Sequence, residues 1–425
     1  MSDEETRERV RQLLEKLSED VADGGIHPTM AGRKLGELLA DALPELTPPR
    51  PATTSFAEAS KRAMDLIARR VSGAEAPIPL PFQDLTDQFG GGLWPGLHFV
   101  TSTTGTGKTA LALQIARCAA LKGSEVLYVP LELDAPQLAI RMISDTLWDE
   151  WRAKPQGEAP PSWSDAYEGR MSTTTGTAAG HAALFNDRWR ARFESVTIDR
   201  FNVIEATPGS WDAMTLEAEL DSVLASGIAP QRPPLIVVDF LQLVGPLGGA
   251  NGGKQDARER IGLVAYHLRD LARRRGVAVL VISSTARTNY GQFYGEKSKD
   301  NDKTPRVRFN DATPRTIERG YLLEGSGKES GEVEYAADSV SALLRAPDGQ
   351  SIFATVKGRS RGPSRPQWCA LRFEGGRFVE GEASAAASAW NDGAKGSAKG
   401  SAKGSATSNG AEGEPKFSYA DDEDL

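Results

Sequence analysis

The stretch FVTSTTGTGKTALALQIA, residues 99–116, decides the fold of this chain. It contains a short apolar run, a turn rich in glycine and threonine that ends in Gly107-Lys108-Thr109, and a segment with helical apolar spacing. This order is typical of a phosphate-binding loop, where glycines let backbone N–H groups surround phosphate oxygens. Lysine then reaches the β- and γ-phosphates, and the threonine hydroxyl binds Mg²⁺.

The sequence therefore predicts a site for ATP and Mg²⁺. The pattern G-x-x-x-x-G-K-[ST] is met except at its first position, where Ser102 replaces glycine. The predicted nucleotide-binding residues are Ser102, Thr103, Thr104, Gly105, Thr106, Gly107, Lys108, Thr109 and Asp239.

Composition limits the classes of protein to consider. A chain of 425 residues exceeds one ordinary core, so we expect one large domain with smaller appendages. The net charge of −8 argues against a protein that coats nucleic acid with its whole surface. The two cysteines, Cys118 and Cys369, lack metal-ligand spacing and are expected to be reduced. Without a signal peptide pattern or an 18-residue apolar run, we expect a soluble, cytoplasmic protein.

Four regions are distinguished along the chain. Residues 1–50 show helical spacing and predict a small α-helical region, and residues 51–81 predict a linker that carries a helix from Ser55 to about Val71. Residues 82–382 predict an α/β domain, in which 152–188 is a variable insertion. Residues 383–425 repeat G, A, K and S before an acidic tip and predict a disordered tail. The tip either docks a partner or only solubilises the chain.

Strands alternate with helical patterns through most of the α/β region, which predicts a mostly parallel sheet flanked by helices. The predicted strands are residues 97–101, 125–131, 195–199, 235–239, 277–283, 340–344 and 352–356.

Two carboxylates end apolar strands of this sheet. Asp239 follows LIVV and is placed to hold the Mg²⁺ water shell opposite Thr109. Glu132 follows the strand that ends at Leu131, and it is placed to accept a proton from the attacking water.

Five ordered segments resemble the C-terminal, RecA-like ATPase domain of DnaB-type replicative helicases. They are FQDLTDQFGGGLWPG, LELDAPQLAIRM, LIVVDFLQLV, GSGKESGEVEYAADSVSALL and VKGRSRGP. The resemblance implies a RecA-like fold, ATP hydrolysis between subunits of a ring, and movement on single-stranded or forked DNA. It makes Glu132 the catalytic glutamate and Lys108 a catalytic lysine. Lys357 and Arg359 then act in the neighbouring subunit's site, with Arg359 as the arginine finger.

Two departures from the family keep a second interpretation open. The family has a glutamine at the end of the strand that begins at Val277, and this sequence has Ser284 at that position. The family's globular N-terminal domain is not recognisable in residues 1–50. The alternatives to a helicase are a RecA/KaiC-like regulatory ATPase that switches assembly without unwinding, and a nucleotide-stabilised scaffold. The helix from Phe56 to Val71 packs either on the next subunit or on its own domain.

Two basic segments are candidates for DNA contact. They are residues 245–256 with the arginines just after them, and residues 287–319, which hold eight basic against five acidic side chains. The predicted DNA-binding residues are Lys254, Arg258, Arg287, Lys297, Lys299, Lys303, Arg306 and Arg308.

Overall fold

The structure is a computed structural model that describes residues 3–23, 53–155, 159–169, 187–226, 232–248, 256–284, 331–345, 350–358 and 367–381. The chain divides into two compact units, Met1–Ser72 and Gly73–Leu425. None of the helices within these described ranges is long and apolar enough to cross a membrane.

The first unit contributes two described helices, α1 (Asp3–Ala22) and α2 (Phe56–Val71). Ser55 caps α2, because its hydroxyl accepts a hydrogen bond from the Glu58 N–H at 3.3 Å. No side chain of α2 is buried, and Phe56 and Val71 are 87% and 82% exposed. Both helices agree with the sequence pattern, whereas the rest of the helical region expected over residues 1–50 lies outside the described residues.

The second unit is an α/β structure. Its helices are α3 (Gln83–Gln88), α4 (Lys108–Leu121), α5 (Ala135–Ala153), α6 (Trp163–Tyr167), α7 (Asp187–Ser195), α8 (Leu216–Ser226), α9 (Ala257–Arg275) and α10 (Gly331–Ala336). Its strands are β1 (Gly96–Ser102), β2 (Val126–Pro130), β3 (Phe201–Val203), β4 (Leu235–Asp239), β5 (Ala278–Ser284), β6 (Ser339–Arg345), β7 (Ser351–Gly358), β8 (Gln367–Glu374) and β9 (Arg377–Glu380).

These strands form one sheet in the order β3-β2-β4-β5-β1-β6-β7-β8-β9. The six strands from β3 to β6 are parallel, and β7, β8 and β9 extend the sheet antiparallel. The sheet is covered on both faces, because alternate residues of one strand enter different cores. Val237 of β4 packs with α4 and α5, whereas its neighbours Ile236 and Val238 pack with α8 and α9. The α/β fold class is therefore confirmed.

Three local features differ from the sequence expectation. The strand expected at 195–199 is wrong: α7 ends at Ser195, and the strand that pairs with β2 begins at Phe201, after Arg200 with a positive φ of 62°. The segment predicted as linker contributes core residues, since Ile78 pairs with Leu93 and is fully buried. Strands β8 and β9 were not expected at all.

Four charged side chains join α4, α5 and β9. Arg117 Nε lies 2.8 Å from Asp145 Oδ2, and Arg377 Nε lies 3.1 Å from Asp145 Oδ1. Both arginines also pair with Asp149. The side chains of Arg117, Asp145 and Arg377 are only 8–11% exposed. Burial raises the pKa of Asp145, and the two arginines only partly offset this effect. The network therefore depends on both cations.

We expect Arg377→Met to destabilise the second unit by about 3 kcal/mol at neutral pH, because it leaves a buried carboxylate with one cation fewer. The substitution raises the pKa of Asp145 further. A raised folded-state pKa favours folding at acidic pH and loses that benefit as pH rises, so the deficit against wild type should shrink towards acidic pH.

Denaturant unfolding of both proteins across pH measures this difference. Arg372→Met is the matched control, since that arginine on β8 is 48% exposed and its pairing with Glu374 lies at the surface. If the loss of unfolding free energy in R377M did not vary with pH, the destabilisation would not arise from the charge of Asp145.

Candidate nucleotide-binding site

The predicted phosphate-binding loop joins the end of β1 to the start of α4. Strand β1 ends at Ser102 and the helix begins at Lys108, so the strand, loop and helix expected from the sequence are all present. Because β1 runs parallel to β5 and β6, the loop lies at the carboxyl edge of the parallel strands. Open α/β sheets bind ligands at this edge.

Gly107 is required at the start of α4 for two reasons. It caps the helix in the left-handed conformation, with φ of 94°. A Cβ at this position would also lie 2.8 Å from Cζ of Phe378 and 3.2 Å from the ring of Phe373. Gly105 has a similar φ of 79°, but nothing lies within 4 Å of the Cβ position. Packing as well as backbone conformation therefore requires glycine at position 107.

Hydroxyl groups brace the loop from inside. Thr106 Oγ1 donates to the Thr103 carbonyl at 2.9 Å and also forms a hydrogen bond with the Ser102 hydroxyl. Ser102 is buried, and its hydroxyl oxygen also lies 3.3 Å from the Thr103 carbonyl oxygen. The serine that replaces the first glycine of the pattern therefore stabilises the loop. Thr104 and Gly105, at the tip, are exposed.

Lys108 is held over the same loop. Its Nζ donates to the carbonyls of Ser102 at 3.2 Å and Thr103 at 2.7 Å. Burial lowers the pKa of Lys108, while the carboxylates of Glu132 and Asp239 act in the opposite direction. The three charged residues predicted for the site therefore influence one another electrostatically.

Asp239 ends β4 and is 2% exposed. Its Oδ2 accepts a hydrogen bond from the Tyr128 hydroxyl at 2.8 Å, and its Oδ1 has no hydrogen-bond partner within the described part of the chain. Burial raises the pKa of Asp239, and contacts with the hydroxyls of Tyr128 and Thr109 act against this rise. A buried carboxylate oxygen without a donor, beside a threonine hydroxyl, suits a hard cation such as Mg²⁺. These residues therefore fit the predicted metal.

Glu132 follows β2, and it lies at the same sheet edge. The Leu131 N–H donates to the Asp239 carbonyl at 2.7 Å, which ties the ends of β2 and β4 together. The Glu132 side chain is exposed. An exposed carboxylate at this edge is accessible to water, as a residue that activates water has to be.

Two further residues of this region carry no sequence signal of their own. Tyr128 orients Asp239 from inside the sheet, because its fully buried hydroxyl finds that carboxylate as partner. Arg141 of α5 stacks over the Trp163 ring at 3.9 Å. Burial lowers the pKa of Arg141, and Tyr128, Asp239 and Glu132 act in the opposite direction. Only the folded chain shows that these groups belong to the site.

Lys357 lies away from this edge. In β7 it pairs with Val340 of β6, and Gly358 pairs with Ser339, the first residue of β6. In the neighbouring pair of strands, Ser102 lies opposite Leu343, four residues further along β6 than Ser339. Lys357 is therefore near the amino edge of the parallel strands. The structure does not bring it together with Lys108.

Most of the predicted DNA-binding residues are not covered by the structure. Arg258 lies exposed in the first turn of α9. Residues outside the described part of the chain are Lys254, Arg287, Lys297, Lys299, Lys303, Arg306, Arg308 and the catalytic candidate Arg359.

We expect Gly107→Ala to destabilise the second unit more than Gly105→Ala. Both variants pay about 1–2 kcal/mol for a left-handed alanine. G107A loses about 1–3 kcal/mol more, because its Cβ overpacks against Phe378. Urea unfolding measures both losses. Phe378→Leu should relieve part of the G107A penalty and none of the G105A penalty. Equal losses for the two glycine variants would show that the aromatic contact is unimportant.

Comparisons with known proteins agree with this architecture. No model of a known protein family and no curated protein matches the sequence. Among solved structures, the ATPase domain of the protein G-40-P is 17% identical with a TM-score of 0.52, over 78% of this chain and 100% of that chain. A DnaB-like replicative helicase, solved for its structure and its interactions with primase, is 16% identical with a TM-score of 0.53, over 88% of this chain and 77% of that chain. These likenesses confirm the predicted RecA-like fold, which this chain shares with the ATPase domains of DnaB-like replicative helicases.

Proposed function

We propose that this chain is an ATP-dependent DNA helicase of the DnaB type, which forms a ring of six subunits and moves along single-stranded DNA. Hydrolysis of ATP at the subunit interfaces would drive the movement, and DNA replication would be its setting. The observation that carries the proposal is the position of Lys357 near the edge of the sheet opposite to the one that holds Lys108, Glu132 and Asp239. Residues 82–382 would form the motor domain, extended at its start by the core residues Ile78 and Leu80.

One half of the active site lies at the carboxyl edge of the sheet. The backbone of the loop and Lys108 would bind the phosphates, and Thr109 with Asp239 would hold Mg²⁺. The bound metal would neutralise charge on the β- and γ-phosphates. Glu132 would accept a proton from the attacking water. These roles are supported by the loop geometry, by Asp239 Oδ1, which has no hydrogen-bond partner among the described residues, and by the exposed Glu132 carboxylate.

The other half would come from a neighbouring subunit. Lys357 is two strands from β1 in the sheet. It pairs with Val340 of β6, which in turn pairs with Phe99 of β1. With strands about 4.8 Å apart and a rise of about 3.3 Å per residue, it lies roughly 10 Å across and 10 Å along from the end of β1. The strand carries Gly358 one step further from that end. Residues placed so far from their own phosphate loop favour action on the loop of the next subunit, as an arginine finger in trans requires.

The proposed contact with DNA is based on the charge of two basic segments and on the strands that they follow. The basic segments at 245–256 and 287–319 follow β4 and β5, whose carboxyl ends lie at the edge of the nucleotide site. Copies of these segments in a ring would line one channel and contact phosphates without reading bases. The acidic tip of the tail would dock a replication partner.

A second candidate is an ATPase switch that assembles on DNA or on a protein without unwinding. The observation that favours it is Ser284, which stands where the resembled family has a glutamine. Both candidates use the same nucleotide site, because the fold alone does not separate them.

We expect ATP hydrolysis to be stimulated by single-stranded DNA and forked duplexes to be separated. Lys108→Ala should remove both activities by losing phosphate binding, and Arg359→Ala should lower hydrolysis by roughly 1,000-fold or more by losing transition-state charge stabilisation. The direct test of action in trans is to mix these two inactive variants. In a randomly mixed ring, about one interface in four pairs an intact Lys108 with an intact Arg359 from its neighbour.

Hydrolysis by the mixture above the sum of the separate variants is therefore the expected result. No recovery, in rings shown to exchange subunits, would contradict the division of the site between neighbours. DNA-independent hydrolysis without strand separation in the wild type would favour the switch ATPase instead.

A further inference from the structure

A glutamine side chain contacts the strand end where the sequence departs from the resembled family. Gln242 belongs to a short 3₁₀ turn, Leu241–Leu243, just after Asp239. Its Nε2 donates to the Ser283 hydroxyl at 2.9 Å, and its Oε1 accepts from the Ser284 N–H at 3.4 Å. A carboxamide both donates and accepts, so one side chain satisfies both groups. The position that holds serine is therefore still contacted by a glutamine, which comes from the turn after the neighbouring strand β4.

The same residue also contacts α9. Arg260 Nη2 donates to the Gln242 carbonyl at 3.4 Å. Gln242 is half-buried and Ser283 is 2% exposed, so the contacts lie within the packed edge of the sheet. Gln242 thus joins three parts of the fold: the turn after Asp239, the end of β5 and the beginning of α9.

These three parts border the two basic segments. Residues 245–256 follow the turn that contains Gln242, and the chain then enters α9, which carries Arg260. Residues 287–319 follow Ser284 after two residues. The hydrogen bonds of Gln242 therefore join the turn after Asp239 to the end of β5 and to the beginning of α9, close to where the two basic segments leave or rejoin the described structure.

We propose that Gln242 is a positioning residue that couples the nucleotide site to DNA contact. The inference rests on the proposed function and names the link by which the site would act on DNA. A shift of Asp239 between nucleotide states would move the adjoining turn, and the carboxamide would transmit that shift to Ser283 and Ser284. Such coupling is reciprocal, so DNA would change the affinity for nucleotide by the same factor.

The test compares the affinity of the full-length protein for single-stranded DNA with a non-hydrolysable ATP analogue and with ADP. Gln242→Met keeps the length of the side chain and removes both of its hydrogen bonds. We expect the DNA affinities of the wild type in the two nucleotide states to differ. Q242M should bring the ratio of these affinities closer to one, by about 5-fold or more. Ser283→Ala removes only the Nε2 bond and should reduce the ratio less. Gln83→Met is the matched control, because the exposed side chain of Gln83 donates to Asp87 within α3, away from the turn that holds Gln242, and it should keep the wild-type ratio.

Each outcome has a distinct meaning. An unchanged ratio in Q242M, or an equal loss of affinity in both nucleotide states, overturns the role of Gln242 and leaves the proposed function standing. If Q242M does not fold, S283A decides, since an unchanged ratio there overturns the inference. A wild type whose hydrolysis and DNA affinity are independent of each other overturns the proposed function and this inference together.

Discussion

The contact between Phe378 and Gly107 is the constraint on which the nucleotide site depends. The ring fills the space that a side chain at position 107 would occupy, and Phe373 packs against it edge to face with centroids 4.9 Å apart. Gln114 then fixes the backbone of Phe378 through two hydrogen bonds of 2.9 Å, one in each direction. The β8–β9 hairpin, far away in sequence, thus holds the start of α4 against the sheet. A distant hairpin therefore packs on the end of the phosphate-binding loop, at Gly107.

Two buried carboxylates of the second unit have different surroundings. Asp145 is compensated by Arg117 and Arg377, so the network joins α4, α5 and β9. Asp239, at the carboxyl edge of the sheet, keeps one oxygen that accepts no hydrogen bond from the described residues. Burying a carboxylate without full compensation costs free energy, and sites that bind a cation commonly retain such a group. The contrast indicates which carboxylate stabilises the fold and which is available to a ligand.

The sheet also explains why one chain would not complete the proposed active site. Parallel strands bring Lys108, Glu132 and Asp239 to one edge, because all of them follow carboxyl ends. Strand β7 runs antiparallel, so its carboxyl end, with Lys357, lies towards the opposite edge. In the proposed ring, Lys357 would therefore act on the nucleotide site of a neighbouring subunit and not on its own. Gln242 would link the same nucleotide edge to the segments proposed to contact DNA.

The sequence by itself determined the phosphate-binding loop, the carboxylates at strand ends and the mostly parallel sheet, because these depend on local periodicity and on glycine, lysine and threonine at fixed spacing. Only the tertiary structure decided the partners of these groups. Tyr128 and Arg141 look like ordinary core and helix residues until folding brings them beside Asp239. The polar and charged residues of β8 and β9 do not give a clear strand pattern, so the hairpin that packs on Gly107 was not predicted. The prolines around Ile78 are typical of a linker, although this segment belongs to the core. Such contacts join residues far apart in sequence, so local patterns do not encode them.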